Sequence, residues 1–228
     1  MKDLIKVWIL FGFMLLIGCF FVCKAHAGDI LNIDTSKNWN INGVPVGDVA
    51  TTVSGSSLKL MSTGTATKKV GIAKVKLFVI QTYAEHPENF VRTDDGASSS
   101  INNVGVAAIK MTFLRSLDSA TVSDAINAYL SNAISPSEMT NYANDIANIT
   151  AAINSQDAMY SGDSLNIVGN KNNVLYENSA TKVFTISSAN PSLTTKIFAM
   201  FLSNTIVDND GISLREQLLQ DPALTFGR

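Results

Sequence analysis

The hydrophobic pattern of this chain changes period along its length, and the order of the periods limits what it can fold into. From Val70 onward apolar and polar residues alternate: Val75, Leu77 and Val79 share one face of an extended segment, and Lys74 and Lys76 share the other. A second alternating run, VAAIKMTFL, puts Ala107, Ile109, Met111 and Phe113 together. Period two, rich in β-branched and aromatic residues, predicts strands, the first with one wet face. Between these runs Pro87 and the tract RTDDGASSS predict a long exposed connection.

The period then lengthens. Val122, Ala125, Ile126, Tyr129, Leu130 and Ala133 recur at helical spacing, with Asp118 or Ser119 available as the N-cap. The string SPSE restarts a helix, with Ser135 as cap, Pro136 in the first turn and Glu138 reaching back. Met139, Tyr142, Ala143, Ile146, Ile149 and Ile153 form its apolar stripe. Three short β-like runs follow at residues 164–169, 173–178 and 182–187. Their links, Asn170-Lys171-Asn172 and Ser179-Ala180-Thr181, suit antiparallel hairpins. Asn190 with Pro191 opens a helix carrying Leu193, Ile197, Phe198 and Phe201, and Ser213 with Glu216 forms a capping box for the last one. Strands, helices, strands and helices in this order predict an α+β fold, an antiparallel sheet covered on one face by helices.

The chain opens with Lys2 and Lys6, an uncharged apolar run over residues 7–23, and Ala25-His26-Ala27. This is the layout of a secretory signal with cleavage after Ala27, which predicts a periplasmic or secreted protein. Two other readings stay open. Leu16-Ile17-Gly18-Cys19 has the form of a lipoprotein motif that would lipidate Cys19 and so bring membrane association, and the apolar run is also at the short limit for a retained anchor. The domain reading is therefore a signal over 1–27, an irregular or short-stranded leader over 28–57 containing Trp39 and the turn string NGVPVG, and one domain over 58–228.

Cleavage would remove both cysteines, Cys19 and Cys23, so the mature chain of about 200 residues would rely on its core rather than on disulfides. It would also remove Lys2, Lys6, Lys24 and Asp3 from 17 basic and 19 acidic residues, leaving an acidic excess without a basic block. That balance argues against a nucleic-acid partner. Without GxGxxG or a phosphate loop, nucleotides and cofactors have no support. After cleavage His86 is the one histidine left, too few for a histidine metal cluster. The run VDNDGIS fails as a calcium loop, because aligning Asp208, Asp210 and Gly211 puts Ile206 first and Gln217 twelfth; it reads as a turn.

Four strings carry a family resemblance: GTATKKVGIAKVKLFVIQTY, IKMTFLRSLDSATVSDAINAYL, SGDSLNI and FAMFLSNTIVDNDGISLREQLL. Their order and spacing over about residues 58–219 resemble the chalcone isomerase fold, especially its exported bacterial branch. In that branch the first string is a Gly-rich turn with a basic cluster leading into a strand that ends at Tyr. The plant enzymes of this fold close a chalcone to a flavanone by adding a phenolate to an enone, which needs a cation and hydroxyl or amide donors held in place.

The resemblance places the plant arginine, two residues after the turn glycine, at Ala66. It places the helix Tyr and Asn at Val122 and Tyr129, the strand Thr near Phe78, and the last-helix hydroxyl near Met200. A methyl group cannot replace a guanidinium fork, so flavanone chemistry is not implied. Plant relatives that lost the catalytic set bind fatty acids in the same cleft. The resemblance thus implies a non-catalytic protein that binds a small apolar or amphipathic acid.

Lys68, Lys69 and Arg115 are the candidates for its polar end, with Tyr83 and Tyr129 as candidate lining groups. Each has a plainer reading: a solvated lysine pair, an ion pair of Arg115 with Asp118 or Asp124, and tyrosines packed at the boundary of sheet and helices. Two other functions stay open, an isomerase or intramolecular lyase acting on another substrate, and an envelope protein that binds a partner. No catalytic residue is assigned.

Overall fold

The computed structural model describes residues 29–170, 173–181, 183–186, 192–206 and 208–227. The expected signal over 1–27, Cys19, the hairpin residues Lys171 and Asn172, and the helix opening at Asn190 and Pro191 lie outside the described residues. The strands are β1 (Leu31–Asp34), β2 (Trp39–Ile41), β3 (Val44–Val46), β4 (Val49–Thr52), β5 (Ser57–Val70), β6 (Ala73–Ala84), β7 (Ala107–Phe113), β8 (Leu117–Asp118), β9 (Ala158–Met159), β10 (Ser164–Gly169), β11 (Val174–Asn178) and β12 (Val183–Ile186). The α-helices are α1 (Ala97–Ser100), α2 (Ser119–Ala133), α3 (Ala143–Ile153), α4 (Leu193–Leu202), α5 (Asn209–Leu218) and α6 (Pro222–Phe226).

Eight strands form one antiparallel sheet in the order β1-β4-β5-β6-β7-β10-β11-β12. Its spine is the β5–β6 hairpin, whose turn sits at Gly71 with φ 61°. The stretch from Gly64 to Val70, expected as a polar turn, is the second half of β5; the backbone reverses at Gly71, which adopts a left-handed conformation at no side-chain cost. Register shifts at Leu60/Ser62 and Ala66/Thr67 mark bulges, which bend a strand and raise its twist. The sheet curls until β1, at one edge, reaches the far side, where the Ile30 N–H donates to Glu177 Oε2 of β11 at 3.3 Å.

Curling gives the sheet two buried faces. On the helix side, Ile80, Ile109, Met111 and Phe113 pack with Leu130, Ile149, Phe198 and Phe201. Inside the curl, Leu31, Val46, Leu58, Tyr83 and Ala108 form a second cluster, against which Trp39 and Phe226 also pack. Those two rings stack at 4.7 Å. The expectation of one wet face on β6 therefore fails beyond Val79: Ile80 and Ala84 enter the helix-side core and Tyr83 the core inside the curl. Nor is the segment over 28–57 a separate leader. β1 and β4 pair with each other, and β4 pairs with β5, so they are strands of the main sheet.

Helix starts follow local caps. Asp118 Oδ1 accepts from Thr121 N at 3.1 Å and opens α2 as expected. Glu138 does reach back, accepting from Ser135 N at 3.3 Å, but it closes a turn and a short 3-10 segment before α3 begins at Ala143. The last long helix starts earlier than the Ser213/Glu216 box implied. Asp208 Oδ1 accepts from Gly211 N at 2.7 Å, placing Ser213 and Glu216 inside α5.

The outer edge of β5 extends past β4, which pairs only with Ser57, Leu58 and Lys59. Side chains cap what remains. Arg92 Nη2 donates to the Met61 carbonyl at 2.6 Å, and Asp210 Oδ2 accepts from Lys69 N at 3.2 Å. Between them, Gln217 Oε1 accepts from Thr65 N at 2.9 Å and its Nε2 donates to Thr65 O at 3.3 Å. The Gln217 amide thus stands where a neighbouring strand would be, satisfying backbone groups that are costly to leave unpaired. Gly64 permits this approach: a Cβ there would lie 3.0 Å from Leu214 Cδ1 and 3.2 Å from Gln217 Cβ. Gly64→Val should push α5 off the strand and lower stability by about 1–3 kcal/mol, read as a lower urea midpoint. An unchanged midpoint would show that this contact does not hold the helix.

Candidate functional site

Where α2, α4 and α5 cross the ends of β5, β6 and β7, they do not close completely and leave a cavity of about 310 Å³. The sheet contributes Ala66, Leu77, Phe78, Met111 and Phe113, with the Phe78 and Phe113 rings tilted at 5.9 Å. Helix α2 contributes Val122 and Ile126, one turn apart, because side chains four residues apart share a helix face. Met200 and Phe201 of α4 and Leu214 of α5 complete an apolar wall. Its rim is polar, formed by Thr67, Lys68, Thr121, Tyr129, Asp208 and Asp210.

Two of the five residues expected at a binding site lie on this wall. Lys68, near the end of β5, is the only cation among the described wall residues. Tyr129 lies on the exposed side of the α2 stripe, and its hydroxyl donates to Asp208 Oδ2 at 3.2 Å. Burial, reinforced by the negative charge of Asp208 and Asp210, pushes its phenol up to about 12. Tyr129 therefore stays neutral through the physiological range and acts as a hydrogen-bonding group.

The other three lie elsewhere. Lys69 follows Lys68 on an exposed strand end; its backbone N–H is held by Asp210, and its side chain is not on the wall. Arg115 is exposed just past β7, with Nε donating to the Lys76 carbonyl at 3.0 Å, so it closes the end of the sheet. Tyr83 is a correction of a different kind. It is an odd-numbered residue of β6 and points into the curl, away from the cavity, fully buried with its hydroxyl 3.2 Å from the Gly47 carbonyl and 2.7 Å from Gln81 Oε1. Burial raises its phenol pKa further.

Sequence reasoning missed Asp208 and Asp210. The run VDNDGIS, expected as a turn, from Asp208 onward instead opens α5, with Asp208 as N-cap and Asn209–Ser213 in its first turns, and the docking of this helix brings both carboxylates to the cavity mouth. Asp208 caps α5 with one oxygen and accepts from Tyr129 with the other, so both oxygens are engaged. Among the described residues no group of three or more His, Cys, Asp or Glu side chains converges as a metal site would require.

The positions onto which the plant catalytic pattern maps can now be located. Ala66, Phe78, Val122, Tyr129 and Met200 all line this cavity. Four of these five lining residues, Ala66, Phe78, Val122 and Met200, are apolar.

Comparison with known proteins agrees with this geometry. A structure of an Arabidopsis thaliana fatty-acid binding protein superposes with a TM-score of 0.55 over 75% of this chain and 91% of that one, at 12% identity. At that identity the likeness concerns the fold. A comparison with curated protein sequences finds no match. The family profile described as chalcone isomerase-like matches residues 38–220, which takes in all of the main sheet except β1, together with every helix on the cavity wall. The curled antiparallel sheet, the helices on its outer face and this match together show that the chain belongs to the chalcone isomerase-like family.

Proposed function

We propose that this protein binds a small amphipathic molecule in the cavity between β5–β7 and the helices, and releases it unchanged. The observation that carries this reading is the apolar lining at the positions to which the resemblance assigns the plant enzymes' polar set. Ala66, Phe78, Val122 and Met200 line the cavity where ring closure needs a cation and hydrogen-bond donors. None of the four can hold a phenolate or polarise a carbonyl. They do supply what an apolar ligand body needs, and about 310 Å³ is at the lower end of the usual range for ligand pockets. The fold neighbour that binds fatty acids supports the same reading.

For the polar end we propose a carboxylate or similar anionic group facing Lys68, with the Thr67 and Thr121 hydroxyls beside it. Asp208 and Asp210 narrow the place such a group can occupy, because it is repelled from the α5 side of the rim and directed to Lys68. We also propose export, from the N-terminal lysines, apolar run and Ala25-His26-Ala27. The intact mass of protein from the envelope fraction of its own cells should correspond to a chain starting at Gly28. A chain that keeps Met1 there would contradict cleavage, and a mass increased by lipid on Cys19 would favour the lipoprotein reading.

Binding is tested with an apolar fluorescent anion such as anilinonaphthalene sulfonate and its displacement by fatty acids. Ala125→Trp adds bulk at an exposed wall position, and Ala66→Phe fills the floor. Both should abolish displacement while thermal unfolding stays cooperative. Lys68→Ala should weaken a fatty acid about fivefold, the worth of a partly exposed ion pair, and leave the corresponding fatty alcohol unchanged. Displacement that survives both cavity-filling changes would reject the cavity, and equal loss for acid and alcohol would reject the headgroup assignment.

A further inference from the structure

The β5–β6 hairpin runs on past the cavity and presents an apolar tip in a basic collar. Ile72, in the turn after Gly71, is fully exposed at 104%, and Val70 is 59% exposed. Lys68, Lys69, Lys74 and Lys76 surround them, and no Asp or Glu occurs anywhere in residues 64–84. This is unusual for a chain whose overall charge is −2. The neighbouring loop adds to the same end of the sheet. Leu114 N donates to Leu77 O at 2.9 Å and Ser161 Oγ to Leu114 O at 3.2 Å, bringing the half-exposed Tyr160 and Arg115 beside the base of the hairpin. Two acidic groups face the collar from α5: Asp210, which accepts from Lys69 N, and Asp208.

We propose that this hairpin docks the protein onto an anionic lipid bilayer, with Ile72 and Val70 entering the headgroup layer and the lysines resting on its negative surface. An exposed branched aliphatic costs solvation in water and gains it in the interface, while lysines near anionic headgroups add electrostatic attraction. A half-exposed tyrosine suits the same boundary. The hairpin is continuous with the cavity, since Lys68 and Leu77 belong to both. Docking would turn the cavity mouth towards the bilayer, where an amphipathic acid resides. In this the inference rests on the proposed binding function and names where the ligand is taken up. No helix among the described residues is long and apolar enough to cross a membrane.

The test uses the chain from residue 28, because both cores and all the described strands lie within residues 29–227. It is co-sedimented with vesicles of phosphatidylcholine containing one-quarter phosphatidylglycerol, and with vesicles of phosphatidylcholine alone. Binding is expected only to the anionic vesicles and should decline with salt. Ile72→Ser, and separately Lys69→Gln with Lys74→Gln, should each lower the partition on the order of tenfold. None of these residues lines the cavity, so displacement of the fluorescent anion in solution should not change. Loss of vesicle binding with intact displacement supports the docking surface. Equal partition into both vesicle types, no partition into either, or variants that bind like the parent would overturn it, whatever the displacement assay shows. A concentration-dependent dimer abolished by Ile72→Ser would assign the tip to a second copy of the chain and also overturn the proposal. A protein that binds vesicles but takes up no ligand would contradict the cavity reading alone.

Discussion

One side chain holds α5 onto β5, the longest of the described strands, by acting as backbone. Gln217 accepts from and donates to Thr65, filling a stretch of β5 edge that no strand covers, and Gly64 provides the room. An amide is suited to this task because it carries the same donor and acceptor as a peptide group. Everything at the cavity depends on that docking. With α5 in place, Leu214 forms part of the wall, Asp208 reaches Tyr129, and Asp210 reaches the backbone of Lys69 at the rim. Without it β5 would present an open edge, and the cavity would be a groove.

The cavity exists because the two layers are asked to do different things. The sheet curls to bury a second core on its inner face, which fixes the direction of β5 and β6 independently of the helices. The helices pack on the outer face through Leu130, Ile149 and Phe198, and the remaining mismatch falls at the hairpin end, where Ala66 is small and Phe78 is only partly covered. The cavity can then be lined with Ala, Val, Phe and Met without disturbing the frame. Such a wall gains from an apolar body and offers no charge to a developing transition state. The proposed binding of an apolar ligand body rests on this wall.

Much of the fold was legible, for reasons visible in particular residues. β7 declares itself because Ala107, Ile109, Met111 and Phe113 alternate onto one core, and α2 because Asp118 caps a stripe running from Val122 to Ala133. The errors come from long-range structure. Tyr83 looked like a lining residue because nothing local says that β6 is buried on both faces. That depends on the start of β1 crossing over, so that Ile30 reaches Glu177, 147 positions away in sequence. The hairpin turn was placed at Gly64 rather than Gly71 because Thr and Lys in β5 read as loop; they are tolerated there because that strand end is a solvent-facing edge. Lys68 was legible as a polar group near a cleft. Asp208 and Asp210 were not, because their role appears only when the start of a helix more than 130 residues downstream docks beside it, as the 141-residue span from Lys69 to Asp210 shows.

The most direct test of the central claim is to purify the chain from residue 28 gently, denature it and identify by mass spectrometry whatever it carried. The account predicts a stoichiometric amphipathic acid, small enough for a cavity of about 310 Å³ and absent from the Ala66→Phe variant. A protein that emerges empty, and that takes up nothing when offered a panel of fatty acids and enones, would contradict it.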